Sequence, residues 1–121
     1  MKRCLVVDDS RVVRLAARRI LQELSFEIDE AANGREALDA CGRVMPDAIL
    51  LDWNMPEMDG LAFLKALRAG NSEPRPIVVF CTSENEMSRI ALALDAGADE
   101  YVMKPFDRDI LESKFQQMGL L

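Results

Sequence analysis

Four short apolar runs in this chain each stop on a polar side chain, and that repetition constrains the fold more than any other feature. The runs are Cys4-Leu-Val-Val-Asp8-Asp9, Asp47-Ala-Ile-Leu-Leu-Asp52, Ile77-Val-Val-Phe-Cys-Thr82 and Tyr101-Val-Met-Lys104. Each reads as a buried strand, and segments of helical periodicity lie between them, which predicts βαβ units and a parallel sheet. Parallel strands of an open α/β sheet send their carboxyl ends to one crevice, where ligands bind. Asp8, Asp9, Asp52, Thr82 and Lys104 are therefore expected to converge. Asp52 is the candidate reactive group, because its strand ends abruptly on a carboxylate and passes into the loop residues Trp53-Asn-Met-Pro-Glu-Met-Asp-Gly60.

The intervening segments complete five βα units. Val13, Ala17, Ile20 and Leu24 fall on one face of a first helix. A second strand, the weakest, is predicted near Glu27 to Ala31. Asn33 with Glu36 resembles a capping box that opens a helix running to about Gly42. Leu61, Leu64 and Leu67 mark a third helix stopping near Gly70, with Asp59-Gly60 as its cap and turn. Asn71-Ser-Glu-Pro-Arg-Pro76 is turn material. A fourth helix presents Met87, Ile90 and Leu94 and stops at Gly97; after Pro105, Asp107 caps a fifth that uses Ile110, Leu111 and Phe115.

At 121 residues the chain fits one domain, residues 1–121, with one core. No apolar run is long enough to cross a bilayer and the start passes straight into a strand pattern, so the expected location is cytoplasmic, without membrane insertion. The net charge of −6 argues against nucleic-acid binding. Arg11, Arg14, Arg18 and Arg19 read as a solvated helix face. Cys4, Cys41 and Cys81 lack ligand-like spacing and suit buried packing in a reducing compartment. The chain has no histidine, which excludes histidine-based triads, histidine metal ligands and a phosphohistidine of its own.

Three carboxylates about 5 Å apart would repel by roughly 3 kcal/mol per pair at an effective dielectric near 20, so they need a cation or must take up protons. An all-oxygen donor set with room for water and a phosphate oxygen suits Mg²⁺ better than a calcium cage. An aspartate is ionised at neutral pH and needs no general base to act as a nucleophile. In-line attack of Asp52 on phosphorus would give an aspartyl phosphate, for which a metal, the Lys104 ammonium and the Thr82 hydroxyl would supply positioning and charge neutralisation.

At these residues the chain resembles the response-regulator receiver domains, in particular single-domain chemotaxis-type regulators. The likeness runs over essentially the whole chain. It rests on Val7-Asp8-Asp9-Ser10, Asp52-Trp-Asn-Met-Pro-Glu-Met-Asp-Gly60, Thr82, Ala96-Gly-Ala98 and Lys104-Pro105-Phe106, in the family's order and spacing. It implies a flavodoxin-like, doubly wound α/β fold: a five-stranded parallel sheet of order 2-1-3-4-5 with five helices. It implies phosphorylation at Asp52 and Mg²⁺ bound by Asp9, Asp52 and the main-chain carbonyl of Asn54, with Asp8 helping through water. Lys104 and Thr82 would contact the phosphoryl group, and the Lys104-Pro105 peptide is open to the cis form. Asn54 and Glu84 match positions that tune dephosphorylation. Tyr101 is the expected aromatic switch, acting with Thr82 to remodel the face made by the fourth helix, fifth strand and fifth helix.

Taken singly, these residues have plainer readings: Asp52 as a loop carboxylate, Thr82 as a cap, Lys104 as a solvated lysine, Tyr101 as core packing, Trp53 and Met55 as loop packing. The constellation carries the functional reading. A haloacid-dehalogenase-type phosphatase would need Asp-x-Asp-x-Thr, and Asn54 and Pro56 stand where its second Asp and its Thr should be. In a flavodoxin-like nucleotide binder, Asp8 and Asp9 would repel the phosphate at the first strand's end.

The expectation is thus a stand-alone, monomeric, Mg²⁺-dependent receiver without an output domain. It would be phosphorylated by a histidine kinase or a histidine phosphotransfer protein and would catalyse only its own phosphorylation and dephosphorylation. A phosphate sink and a phosphorylation-independent pseudo-receiver are the alternatives within the class. Output would be by protein contact, chemotaxis-like or in a phosphorelay. Chemotaxis relatives tend to carry lysines where this chain has Asn85, Glu86, Met87 and Ser88, and Met87 with Ile90 or Met103 is expected mainly in the core.

Overall fold

A computed structural model describes residues 1–70, 75–83 and 86–121. Residues 71–74, part of the segment expected to be turn material, and Glu84 and Asn85 lie outside that set. Among the described residues the chain order is β1 (Arg3–Val7), α1 (Arg11–Glu23), β2 (Glu27–Ala31), α2 (Gly34–Arg43), β3 (Ala48–Leu51), α3 (Gly60–Ala69), β4 (Ile77–Thr82), α4 (Arg89–Asp95), β5 (Glu100–Met103) and α5 (Arg108–Gln117). All strand pairs are parallel, as the apolar runs predict, and they lie in the order β2-β1-β3-β4-β5 that the resemblance implies.

The sheet is buried on both faces, which explains why β1, β3 and β4 read as continuous apolar runs. Side chains alternate along β1: Cys4 and Val6 face a core shared with Leu21 of α1 and Leu111 and Phe115 of α5. Leu5 and Val7 face a second, shared with Ala37 of α2, Phe63 and Leu64 of α3 and Ala93 of α4. Phe63, Phe80 and Phe115 are fully enclosed, each contributing about 2–3 kcal/mol of apolar burial.

The helix starts follow from capping chemistry. Ser10, Asn33, Asp59 and Asp107 accept the amide protons of Val13, Glu36, Ala62 and Ile110. Asn33 and Glu36 form the expected box, although Glu36 Oε1 reaches back to the amide of Ala32.

Three expectations are corrected. On α5, Ile110 is 41% exposed, and the buried face is carried by Leu111 and Phe115. The fourth helix turns Ala93 inward, while Met87, ahead of the helix, is 48% exposed and Leu94 44%; the buried face is held by a small residue packed in the second core. The basic stretch is only partly a solvated face, because Arg14 and Arg18 both pair with Glu30 on β2. The Arg14 guanidinium also donates to the Asp8 carbonyl at 2.7 Å.

Candidate functional site

Topology alone brings the predicted residues together. β1 lies between β2 and β3, so the chain winds away from it in both directions, and the crevice opens at that switch point. Val7 and Leu51 are register partners, so the next residues, Asp8 and Asp52, leave the sheet side by side. The Asp8 amide donates to Ala31 O at 3.1 Å and that of Asp52 to Val7 O at 2.9 Å. On the other side the Lys104 amide donates to Thr82 O at 2.7 Å, which carries the lysine past the end of β5 toward the carboxylates. The Lys104-Pro105 peptide is cis.

Each of Asp8, Asp9 and Asp52 offers a carboxylate oxygen within 4.8 Å of the others. Lys104 Nζ lies 2.7 Å from Asp8 Oδ2 and 3.1 Å from Asp52 Oδ1. Asp8 is buried and its Oδ1 accepts from the Ser10 amide at 2.8 Å; Asp9 is exposed at the mouth. Thr82 is 1% exposed, and its hydroxyl donates to Ser83 O at 3.3 Å.

Burial pushes the Asp52 carboxyl above its usual pKa, and the charge of Asp8 adds to this, against the opposing pull of Lys104. Burial also works against the Lys104 ammonium. Its hydrogen bond to Asp8 and the charges of Asp52 and Asp8 outweigh that and hold its pKa above the ordinary lysine value. One ammonium among three carboxylates leaves the cluster two charges short of neutrality, and a hard divalent cation with oxygen ligands fits both the charge and the donor set.

A family model of the response regulator receiver domain matches residues 4–116. The chain belongs to this family. It is the receiver domain of a two-component response regulator, and its fold is CheY-like. This receiver is 40% identical over 116 residues to the response regulator MprA of Mycolicibacterium vanbaalenii, covering 96% of the chain and 49% of the relative. It therefore spans about half the length of the curated relatives it matches. Among solved structures it is similar to the chemotaxis protein CheY4 of Vibrio cholerae, with 32% identity, 97% and 98% of the two chains covered and a TM-score of 0.89. It is also similar to the receiver domain of NtrX from Brucella abortus, with 28% identity, 97% of each chain and a TM-score of 0.87.

Around the receiver's crevice, the loop after β3 is anchored by packing. Trp53 meets Phe80 edge-on at 5.3 Å, and Met55 packs against the second core. Asn54 is exposed, and Glu84 lies outside the described residues. Tyr101 is half-buried, with Lys114 Nζ 4.8 Å from its ring centroid. Sequence reasoning missed Arg14 behind Asp8, Lys114 over Tyr101 and Arg89, which reaches Trp53 and Asn54. No spacing rule points to these three, since each partner lies on another element. No helix among the described residues is long and apolar enough to cross a membrane.

Proposed function

We propose that Asp52 accepts a phosphoryl group from a phosphohistidine of a partner histidine kinase or phosphotransfer protein, and that the acyl phosphate switches a protein-binding face. The observation that carries this reading is the Lys104 ammonium bridging Asp8 and Asp52 at the switch point of the sheet. It holds a cation where charge would develop on a transferring phosphoryl group, without occupying both oxygens of Asp52. An oxygen of Asp52 forms the new bond to phosphorus as the donor's nitrogen–phosphorus bond breaks, and the departing imidazole takes its proton from solvent. The Thr82 hydroxyl turns from Ser83 O toward a phosphoryl oxygen, and Lys104 follows the new charge.

Asp9, Asp52 and the main-chain carbonyl of Asn54 would hold Mg²⁺. Both carboxylate oxygens of Asp8 are already engaged, by Ser10 and Lys104, which suits a contact through water. Bound there, the ion supplies charge neutralisation and fixes the orientation of the phosphoryl oxygens.

These 121 residues contain no histidine, so on this reading the phosphohistidine belongs to a separate donor domain. An apolar groove of about 340 Å³, lined by Val12, Val13, Ala16, Lys104, Pro105 and Phe106, opens beside the crevice, and Val12 on its rim is 77% exposed. A donor domain seated over α1 would bring its phosphohistidine to Asp52. Output follows from Tyr101: its ring favours the buried rotamer once Thr82 moves inward, and the face of α4, β5 and α5 changes for a downstream protein. The likeness to a chemotaxis protein supports a chemotaxis-like or phosphorelay role. The chemistry this reading assigns to the receiver is its own phosphorylation and dephosphorylation.

Intact mass after incubation with acetyl phosphate or phosphoramidate tests this, with and without Mg²⁺, in wild type and Asp52→Ala. One phosphoryl adduct that needs both Mg²⁺ and Asp52 is expected. No adduct from either donor would make the chain a pseudo-receiver that signals by binding alone.

A further inference from the structure

The loop after β3 and the first turn of α4 are joined by one side chain. The Arg89 guanidinium lies 4.7 Å from the centroid of the Trp53 ring, within cation–π range. Its Nη1 donates to Asn54 Oδ1 at 3.0 Å and to Glu86 Oε2 at 3.0 Å. The Trp53 ring also meets the buried Phe80 edge-on and packs against the second core. A guanidinium has donors only, so this contact turns the carboxamide oxygen of Asn54 toward Arg89 and leaves the amide nitrogen as its free end. Asn54 stands two residues past Asp52, on the loop that leaves the candidate phosphoacceptor.

We propose, on the reading that Asp52 is phosphorylated, that Arg89 is a positioning residue: it straps α4 to this loop and prolongs the stay of the phosphoryl group on Asp52. Loss of that group is hydrolysis. A water oxygen bonds to phosphorus, the bond from phosphorus to the Asp52 oxygen breaks, the carboxylate re-forms, and the water's proton passes to solvent as inorganic phosphate leaves. The attacking water must aim a lone pair at phosphorus, which an acceptor for its proton promotes and a donor to its oxygen opposes. With Oδ1 held toward Arg89, Asn54 offers such a water its donor end. Lysine retains the charge but lacks the planar fork that stacks and bonds at once.

The test is decay of the phosphoryl adduct after donor removal, followed by intact mass in wild type, Arg89→Ala, Arg89→Lys, Asn54→Ala and the double variant. Arg89→Ala should shorten the half-life about fivefold, as expected for loss of one charge-assisted hydrogen bond, with Arg89→Lys in between. In the Asn54→Ala background the second substitution should add nothing. Trp53 emission of the unphosphorylated protein should change in Arg89→Ala, because the cation leaves the indole face. An adduct on Arg89→Ala that decays at the wild-type rate, or an undiminished effect in the Asn54→Ala background, would overturn the positioning role. Unchanged Trp53 emission would overturn the strap itself. Failure of the wild type to form any adduct would instead remove the phosphoacceptor reading, and this inference with it.

Discussion

Gly60 closes directly onto Asp52: a Cβ built at Gly60 would fall 2.0 Å from the Asp52 carbonyl oxygen, while the Gly60 amide donates to Trp53 O at 2.8 Å. The loop carrying Trp53, Asn54 and Met55 is thereby folded back on the strand end that presents Asp52, the proposed phosphoacceptor. Gly60→Ala should cost about 3 kcal/mol or more, since backbone rather than a flexible side chain must give way. Urea denaturation measures this, and a loss under about 1 kcal/mol would show that the loop relaxes freely.

Replacing Asp52 by asparagine should stabilise the protein at neutral pH without Mg²⁺. Burial first, and then Asp8, raise the folded-state pKa of Asp52 above its unfolded value. The folded state therefore binds that proton more tightly, and the resulting stability is present at acid pH and lost as pH rises through the folded pKa. The ionised carboxylate is a net cost at pH 7, so the Asn variant should melt roughly 2–5 °C higher there. The advantage should shrink on acidification, and a gap that widens toward low pH would contradict the assignment.

Mg²⁺ should raise the melting point of the wild type. At ten times the dissociation constant the linkage is about 1.4 kcal/mol, or roughly 4–6 °C for a domain of this size. Asp9→Ala and Asp52→Asn should each remove most of that gain. Equal shifts in all three proteins, measured by scanning fluorimetry, would place the ion elsewhere.

Tyr101→Ala should still acquire the adduct but fail to transmit it. Phosphorylation should then shift amide resonances near Asp52 and Thr82 while leaving those of α4 and α5 nearly still. Wild-type-sized changes on α5 in the variant would exclude Tyr101 as the switch.

The strands and the crevice were legible because burial on both faces turns β1, β3 and β4 into uninterrupted apolar runs whose ends are marked by polarity. The caps at Asn33, Asp59 and Asp107 were equally plain, since each acts within three residues of itself. Ties between distant segments left no such trace. Arg68 joins the end of α3 to Pro76 O, Gly97 O and the Asp99 carboxylate, three partners that no local spacing predicts. Glu30 draws Arg14 and Arg18 out of a stretch that reads as uniformly solvated. On α4 the inward residue is Ala93, too small to mark a hydrophobic period, so its larger neighbours misled the choice of face. Lys114 over Tyr101 and Arg89 over Trp53 depend on packing that exists only once the helices are laid on the sheet.

The three cysteines, buried on separate elements, give the domain an internal record of its own opening. Burial pushes the Cys4 thiol up to about 12 and the Cys41 thiol up to about 11, and raises that of Cys81 as well. None is a competent nucleophile while its element is in place, so alkylation waits for the local unfolding that exposes it. Cys4 reports the interior strand β1, Cys41 the α2 layer, and Cys81 the strand end beside Thr82. Their relative labelling rates rank three regions of the native protein by the free energy needed to open them, without any engineered cysteine.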